Sequence, residues 1–312
     1  MSAVRQKKER CIPARREIKR EQFMHHFFVK NDQIRNDKIY IIGEDYNHAA
    51  NVLRLRTGEE VLISDEDGQD YLCEVEYAAD AAGKENRRGK EAGEPAETMP
   101  VLSVLETVDP VFSGLPHLRL SVRERQAENH ELPARVWLFQ GLPKSDKMEW
   151  IIQKATELGV SDIVPVDMKN CVVRLDEKKA AAKEKRWQAI AESAAKQSKR
   201  SRIPVVHPVM KFTDAMRISE QFDVRILPYE AENGIVSMCE AIVSFLPGRD
   251  IAVMIGPEGG FDRMEAKLAE SRGWVSVSLG KRILRTETAA IAALSMIMIR
   301  LEIVSQMELE TD

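Results

Sequence analysis

Apolar and polar residues follow different patterns in the two halves of this 312-residue chain. Between Lys38 and Val108, short apolar runs such as KIYIIG, EEVLIS and DYLCEVEYA lie between clusters of Gly, Asp and Asn. Runs of this kind are typical of strands, so we predict a small, mostly β domain of barrel size, opened by the aromatic run MHHFFV at 24–29. Residues 79–97 contain no large hydrophobic residue, so we expect a mobile loop there.

From Arg135 onwards, strands and amphipathic helices alternate, which is the order of an α/β domain with βαβ units. A strand at 135–139 precedes a helix at 147–158, which we expect Asp146 and Glu149 to cap. The last helix, predicted at 286–306, is apolar on nearly every side. We expect it to be buried in its own domain or against a second copy of the chain.

These patterns divide the chain into segments of different character. We predict a basic flexible tail at 1–23, a β domain at 24–110, a linker at 111–133 with Pro and Gly punctuation, and an α/β domain at 134–312. A chain of this length is expected to form two compact units rather than one.

Composition is that of a soluble globular protein, with 44% hydrophobic and 31% charged residues. No continuous apolar run reaches the roughly 20 residues of a membrane span, and the first residues lack the apolar core of a signal peptide. The four cysteines show no CxxC spacing and have no close histidine partner. We therefore expect a cytoplasmic protein with reduced cysteines, no metal and no membrane contact.

Basic residues are concentrated in two stretches although the net charge is -4. Residues 1–23 carry eight Lys or Arg against three Glu, and the stretch from Arg174 to Arg202 carries ten against four acidic residues. Clustered positive charge favours an anionic partner, with nucleic acid the leading candidate. A solvated helix face would account for the same charge pattern.

Two glycine turns stand out near the carboxyl terminus. The first glycine turn, IGPEGGF at 255–261, follows the run IAVMI, and the second glycine turn, LGKRILRTETA at 279–289, ends the run VSVSL. Ligands of open α/β sheets bind where strands end in such turns. Neither turn has the GxxxxGKS/T or GxGxxG pattern of a phosphate cradle, and Glu258 would repel phosphate. An uncharged or cationic ligand fits better, although an ordinary structural turn would explain the first motif alone.

These turns, together with MHHFFV, LPKSDKMEWIIQKATELGV at 142–160 and ESAAKQSKRSRIP at 192–204, resemble the 16S ribosomal RNA uridine N3-methyltransferase family of the SPOUT superfamily. The resemblance covers nearly the whole chain from Met24. It implies an α/β SPOUT domain with a trefoil knot, preceded by a small PUA-like β-barrel. It also implies S-adenosylmethionine as cofactor, a homodimer, and 16S ribosomal RNA of the small ribosomal subunit as substrate.

Carried onto this sequence, the family's cofactor pocket is formed by residues that follow the last strands. They are Leu227, Pro228, Gly256, Pro257, Glu258, Gly259, Gly260, Leu279, Gly280, Ile283, Leu284, Arg285, Thr286, Thr288 and Ala289. A purely structural role as helix caps would explain one of the threonines equally well.

Methylation of uridine N3 requires loss of a weakly acidic proton and alignment of that nitrogen with the sulfonium methyl group. Arg285 is our candidate for stabilising the uridine anion, and Glu258 or Glu287 could accept the proton. Salt bridges or helix-end pairing would explain the same three residues structurally. Enzymes of this superfamily that act on other RNA positions or atoms, and a non-catalytic RNA-binding assembly factor, remain alternative functions.

RNA binding is predicted to depend on phosphate contacts from the second basic stretch and on side chains near residue 25. The predicted residues are Arg174, Lys196, Lys199, Arg200, Arg202, His25, His26 and Phe27. The family usually has arginine at the position of His26, so this chain departs from the family pattern there.

Overall fold

The computed structural model describes residues 24–79, 109–112, 114–126, 130–229 and 234–309. The chain divides into two compact units, Met1–Asn129 and His130–Asp312. The predicted basic tail, the predicted loop beyond Ala79 and the last predicted strand of the β domain lie outside the described residues.

The first unit is built on a six-stranded sheet in the order β1-β4-β5-β6-β3-β2. Its strands are β1 (His25–Phe28), β2 (Ile34–Arg35), β3 (Lys38–Ile42), β4 (Glu60–Ser64), β5 (Asp70–Ala79) and β6 (His117–Arg125). Strand β1 pairs with β4 in parallel, and the other neighbours are antiparallel. Helix α1 (Gly43–Asn47) continues into a π-helical turn at His48–Leu53. The pattern of DYNHAANVLRLRTG at 45–58 predicts a helix here, but the predicted helix extends beyond the observed end at Leu53. Short 3-10 turns lie at Asn31–Gln33 and Pro110–Phe112.

Strand β6 corrects the predicted linker at 111–133. Residues His117–Arg125 pair with β3 on one side and β5 on the other, so they belong to the sheet rather than to a connection. Leu118 and Leu120 are fully buried in the core of this unit. The flanking Pro and Gly residues are typical of a linker, whereas the apolar residues of HLRLSV recur at every second position, which is the period of a strand.

The second unit contains seven strands that pair only in parallel. They are β7 (Arg135–Gly141), β8 (Asp162–Asp167), β9 (Val205–Val206), β10 (Met210–Lys211), β11 (Val224–Pro228), β12 (Asp250–Ile255) and β13 (Val275–Val277). The strand order is β10-β8-β7-β12-β11-β13, in which β10 pairs with the carboxyl end of β8. The short strand β9 pairs with the amino end of β8. This arrangement confirms the predicted α/β fold.

Helices connect these strands, as a parallel sheet requires. They are α2 (Lys147–Glu157), α3 (Glu177–Ser198), α4 (Phe212–Ile218), α5 (Gly234–Val243), α6 (Arg263–Ser271) and α7 (Thr286–Leu309), with a 3-10 turn at Ser219–Gln221. The sequence pattern predicts a helix at about 177–198, which agrees with the observed α3, and α2 ends one residue earlier than predicted.

The sequence predicts two helix caps, Asp146 with Glu149 at α2 and Asp262 with Glu265 at α6, and their outcomes differ. At α6 the capping box is present, because Asp262 accepts from the backbone N of Met264 and Glu265 accepts from that of Asp262. At α2 the predicted cap is wrong. The backbone of Asp146 lies at φ -91° and ψ 11°, outside the extended conformation that presents a capping side chain, and its carboxyl caps no N–H.

Helix α7 is buried on one face only. Its inner face, with Ala293, Leu294 and Ile297, packs in the core of the second unit against α2 and β12. Ile299 and Ile303 on the outer face are half-exposed, so the prediction of burial within this domain is confirmed for the inner face alone. By length and composition alone α7 is also long and apolar enough to cross a membrane, although Arg300 and Glu302 interrupt its apolar sequence.

Two cysteines can be described, and both are free thiols in the protein interior. Cys73 lies in the first unit and Cys171 in the second. Burial raises the pKa of both thiols, that of Cys73 to about 12, so both remain protonated and unreactive at neutral pH. Among the described residues, no group of three His, Cys, Asp or Glu could hold a metal ion.

Gly159, which follows α2, provides a test of the packing at the end of that helix. Its φ is +87°, and a Cβ there would lie 2.6 Å from Cγ of Leu132. We expect Gly159→Ala to lower the free energy of unfolding by about 3 kcal/mol, measured by urea denaturation, because backbone strain and overpacking add.

The matched control is Gly248→Ala, where φ is +73° and a Cβ would meet nothing within 4 Å. Backbone strain alone should cost about 1 kcal/mol there. Equal losses for the two variants would contradict the packing of Leu132 against Gly159.

Candidate functional site

The predicted site residues lie where three neighbouring parallel strands end. Strand β11 lies between β12 and β13, with Ile226 opposite Val253 and Pro228 opposite Val277. Their carboxyl ends therefore meet at one edge of the sheet. The first glycine turn follows β12, Leu227 and Pro228 end β11, and the second glycine turn follows β13. The structure thus brings the predicted cofactor residues to the edge at which α/β proteins bind ligands.

The first glycine turn is held by the segment that follows β8. The side-chain amide of Asn170 donates to the carbonyl oxygens of Gly259, at 3.2 Å, and Gly260, at 3.3 Å. A Cβ at Gly259 would lie 3.0 Å from Cβ of Asn170, so glycine is needed for this approach. Lys169 pairs with Asp262 just beyond the turn, at 2.7 Å. Sequence analysis did not predict either contact, since neither residue belongs to a motif.

The second glycine turn is exposed along most of its length. Gly280 has a φ of +120°, a conformation that favours glycine. Ile283 is 83% exposed, and Lys281, Arg282 and Arg285 are exposed as well. Within the described part of this chain, no residues therefore enclose Ile283 at its predicted contact with a cofactor.

A hydrogen bond of Thr286 joins the two glycine turns, and Gln140, a residue that sequence analysis missed, extends this hydrogen-bond chain to β7. The Gln140 amide donates from Nε2 to Oγ1 of Thr286 at 2.9 Å, and this hydroxyl donates to the carbonyl oxygen of Gly256 at 2.6 Å. Gln140 is fully buried. One signal was present in the sequence, because a polar residue near the carboxyl end of the apolar strand RVWLFQ is unusual in a core strand.

The two candidate carboxylates share one cation, Lys147. Its Nζ lies 3.1 Å from a carboxylate oxygen of Glu258 and 3.1 Å from one of Glu287. The backbone N of Lys144 also donates to Glu258, at 3.0 Å. Hydrogen bonds to Glu258 and Glu287 raise the pKa of Lys147. Burial opposes ionisation of Glu258, but hydrogen bonds from Lys144 and Lys147 outweigh it, so the pKa of Glu258 lies below its usual value.

This cluster changes the role predicted for the two glutamates. A carboxylate held by an ammonium group and a backbone N–H is a weaker base than a free carboxylate. Glu258 and Glu287 thus belong to an ion-pair cluster that connects the two glycine turns through Lys147, and the lowered pKa of Glu258 argues against this residue as the proton acceptor.

Three of the side chains predicted to contact RNA are buried in the protein interior, so the prediction that they bind RNA is wrong. Arg200 is 3% exposed and pairs with Glu131 while donating to the carbonyl oxygen of Val160. His26 is buried, with Nε2 2.8 Å from the hydroxyl of Ser64, and Phe27 belongs to the core of the first unit. Their side chains are used to stabilise the fold.

The other predicted RNA contacts retain some exposure. Arg174 pairs with Asp167 and Lys196 with Glu192. Lys199 ends α3 with a φ of +56°. His25 and Arg202 are exposed.

The basic residues nearest the site lie instead around the glycine turns. Lys281, Arg282 and Arg285 belong to the second glycine turn, and the backbone of Lys144 binds the first through Glu258. All four side chains are exposed. Within the described ranges, none of them forms a salt bridge, so their charge is available to an anionic ligand.

Comparison with known proteins assigns the chain to a family. The profile of a family described as RNA methyltransferase domain matches residues 130–298, and that of an RNA methyltransferase PUA domain matches residues 41–80. Ribosomal RNA small subunit methyltransferase E of Bacillus subtilis is 36% identical over 266 residues, which cover 84% of this chain and 90% of that protein. The chain belongs to the ribosomal RNA small subunit methyltransferase E family.

Further relatives agree with this assignment. The Mycobacterium tuberculosis member is 31% identical over 257 residues, covering 81% of this chain and 82% of that protein. The crystal structure of the Neisseria gonorrhoeae member bound to S-adenosyl methionine has a TM-score of 0.62 and 26% identity, covering 87% of this chain and 96% of that one. The predicted α/β methyltransferase domain preceded by a PUA-like domain is confirmed.

The Lys147 cluster predicts a defined pH dependence of stability. Because the pKa of Glu258 is depressed from its usual 4.5, its contribution is present above that pH and is lost as the pH falls through the folded-state value. Because the pKa of Lys147 is raised from its usual 10.5, its contribution is lost as the pH rises through the folded-state value. We expect Lys147→Met to lower the melting temperature between these limits, with a smaller difference from wild type in acid and in alkali.

The control is Lys154→Met on the same helix, since Lys154 pairs only with its close neighbour Glu157, at 2.7 Å. Such a local surface pair contributes little to stability. Calorimetric melting of the three proteins across pH measures both effects, and an equal loss in the two variants would contradict the proposed bridge between the turns.

Proposed function

We propose that this chain transfers the methyl group of S-adenosylmethionine to N3 of a specific uridine in 16S ribosomal RNA of the small ribosomal subunit. Membership of the ribosomal RNA small subunit methyltransferase E family supports RNA methylation. The observation that carries the proposal is the junction of the two glycine turns at one sheet edge by Gln140 and Thr286. The choice of uridine N3 depends on the resemblance of the two turn motifs to the uridine N3-methyltransferases.

The residues at this edge fit S-adenosylmethionine. Gly260 and Gly280 have positive φ, and a Cβ at either would meet nothing within 4 Å, so a ligand has room beside both backbones. Leu227 is apolar and buried at the same edge. The turns offer no phosphate cradle, which suits a cofactor without phosphate. When bound, this cofactor supplies an electrophilic methyl group on a sulfonium centre.

The chain's own residues then have distinct tasks. Thr286 and the glycine turns hold the cofactor, while Lys147 keeps Glu258 and Glu287 in ion pairs. Arg285 is exposed next to Thr286 and forms no ion pair with a described residue. A guanidinium in this position would stabilise the negative charge as uridine N3 gives its proton to solvent water before it accepts the methyl group.

The RNA substrate has to present an accessible base. Uridine N3 is hidden in a base-paired duplex, so the target is unpaired or flipped out of its stack. We propose that Lys144, Lys281 and Arg282 bind phosphates beside the target. The solvent-accessible members of the predicted set then bind more distant phosphates or bases; they are His25, Arg174, Lys196, Lys199 and Arg202.

The remaining features of the family resemblance belong to the same proposal. The PUA-like unit helps to hold RNA, the second unit contains a trefoil knot around the glycine turns, and the protein acts in the cytoplasm. We propose a homodimer in which the half-exposed apolar residues of α7, Ile299, Ile303 and Met307, are covered by a second copy. Their spacing of four residues places them on one helix face.

The proposed reaction is tested by mass spectrometry of 16S ribosomal RNA from a strain that lacks this gene. We expect exactly one N3-methyluridine to disappear and to return when the wild-type gene is restored. Loss of a different modified nucleoside would overturn the choice of uridine N3, and an unchanged set of modifications would overturn the enzymatic function.

Arg285 is tested by Arg285→Ala in single-turnover methyl transfer at saturating RNA and cofactor. We expect the rate to fall about a hundredfold, because an electrostatic contact to charge that develops in the transition state is removed. The control is Arg249→Ala, since Arg249 is also exposed but precedes β12 at the opposite edge of the sheet. An unchanged rate for Arg285→Ala would remove this residue from the mechanism.

A further inference from the structure

Gln140 occupies a central position in the second unit. It lies near the carboxyl end of β7, opposite Ile255 of β12 on one side and Pro165 of β8 on the other. It has no solvent exposure. A fully buried amide loses its hydration and requires hydrogen-bond partners from the protein or from a ligand.

The hydrogen bonds fix the orientation of this amide. The carbonyl oxygen of Gly141 can only accept, and it lies 2.9 Å from Nε2 of Gln140. The Thr286 hydroxyl uses its hydrogen on the carbonyl oxygen of Gly256, so its oxygen accepts from the same Nε2. Both hydrogens of the Gln140 amide are therefore in use, and the reverse orientation would place two acceptors against each other.

These contacts connect segments that are distant in sequence. Gln140 and Thr286 are separated by 146 positions, and Thr286 is the first residue of α7. One side chain thus ties the end of β7 to the start of α7 and, through the hydroxyl, to the first glycine turn. Movement of one turn relative to the other has to break this hydrogen-bond chain.

The oxygen of the same amide is the second observation that points to a ligand. Oε1 of Gln140 is buried and accepts no hydrogen bond from any described residue. An unmet buried acceptor costs about 1–3 kcal/mol, so native proteins rarely retain one without a use. Because Oε1 and Nε2 belong to one planar amide, this oxygen lies close to Thr286. S-adenosylmethionine carries suitable donors in its ammonium group, its ribose hydroxyls and its adenine amine.

We propose that Gln140 is a positioning residue of the cofactor site, with Nε2 locking the two glycine turns through Thr286 and Oε1 accepting a hydrogen bond from bound S-adenosylmethionine. This inference rests on the proposed function, since it takes S-adenosylmethionine as the ligand. It adds to that function a residue outside both glycine motifs.

The test measures the dissociation constant of S-adenosylmethionine by calorimetry, together with the melting temperature, for the full-length protein and its variants. Thr286→Val removes the hydroxyl and keeps the shape, whereas Gln140→Met removes both the lock and the acceptor oxygen. The double variant and Thr286→Ser complete the set. Should Gln140→Met fail to fold, the comparison of Thr286→Val with Thr286→Ser still tests the lock.

The matched controls are a glutamine and a threonine with similar hydrogen bonds away from the turns. Gln188 donates to the carbonyl oxygen of Pro204 and accepts from the backbone N of Val206. Thr156 is buried in α2 and donates to the carbonyl oxygen of Ile152. We expect Gln188→Met and Thr156→Val to lower the melting temperature without changing the affinity for S-adenosylmethionine.

We expect Thr286→Val to weaken binding about threefold to tenfold, which corresponds to one hydrogen bond. Gln140→Met should weaken binding about tenfold further, because it also removes the acceptor oxygen. The double variant should bind no more weakly than Gln140→Met, and Thr286→Ser should bind like wild type.

The outcomes distinguish this inference from the function on which it rests. Wild-type affinity in both Thr286→Val and Gln140→Met would overturn the inference while leaving the proposed function intact. Equal losses in those two variants would overturn the assignment of Oε1 to the ligand. Absence of S-adenosylmethionine binding by the wild-type protein would overturn the proposed function and the inference together.

Discussion

The parallel register of the second sheet is the constraint on which the site depends. Strands β7, β12, β11 and β13 run in one direction, so the segments that follow them emerge at the same edge. The sheet is held there by burial on both faces, since consecutive residues such as Leu138 and Phe139, or Val253 and Met254, have no solvent exposure. Ile255 and Phe261 of the first glycine turn belong to that core, and the location of both turns follows from it.

The charged residues around the site form two groups. The inner cluster consists of acidic and basic side chains that pair with one another, and the outer rim consists of exposed basic side chains. Lys147 lies within 3.1 Å of both Glu258 and Glu287, so two carboxylates near the turns do not repel an anionic substrate with their full charge. Lys281, Arg282 and Arg285 remain exposed and form no salt bridge with a described residue. A cationic cofactor beside the inner cluster and an anionic RNA on the rim are both electrostatically reasonable with this separation.

The basic stretch from Arg174 to Arg202 illustrates why charge in a sequence is an incomplete guide to a binding surface. Its residues look equivalent in the sequence, yet Arg200 is buried against Glu131, a partner 69 positions away. Lys196 instead pairs with Glu192 within the same helix. A carboxylate of the fold that pairs with a positive side chain weakens the contact of that side chain with phosphate, and such a carboxylate can come from a distant position, as Glu131 does.

The sequence alone determined what depends on neighbouring residues: the limits of α3, the capping box of α6, the order of strands and helices, and the two glycine turns. Periodicity, caps and positive φ are local properties, so local patterns predict them. Only the tertiary structure decided that Thr286 bonds both Gln140 and Gly256, and that His117–Arg125 forms a strand between β3 and β5 rather than a linker. These contacts form because chain segments meet across the packed sheets, and no pattern within a short window records which distant partner a polar group will find.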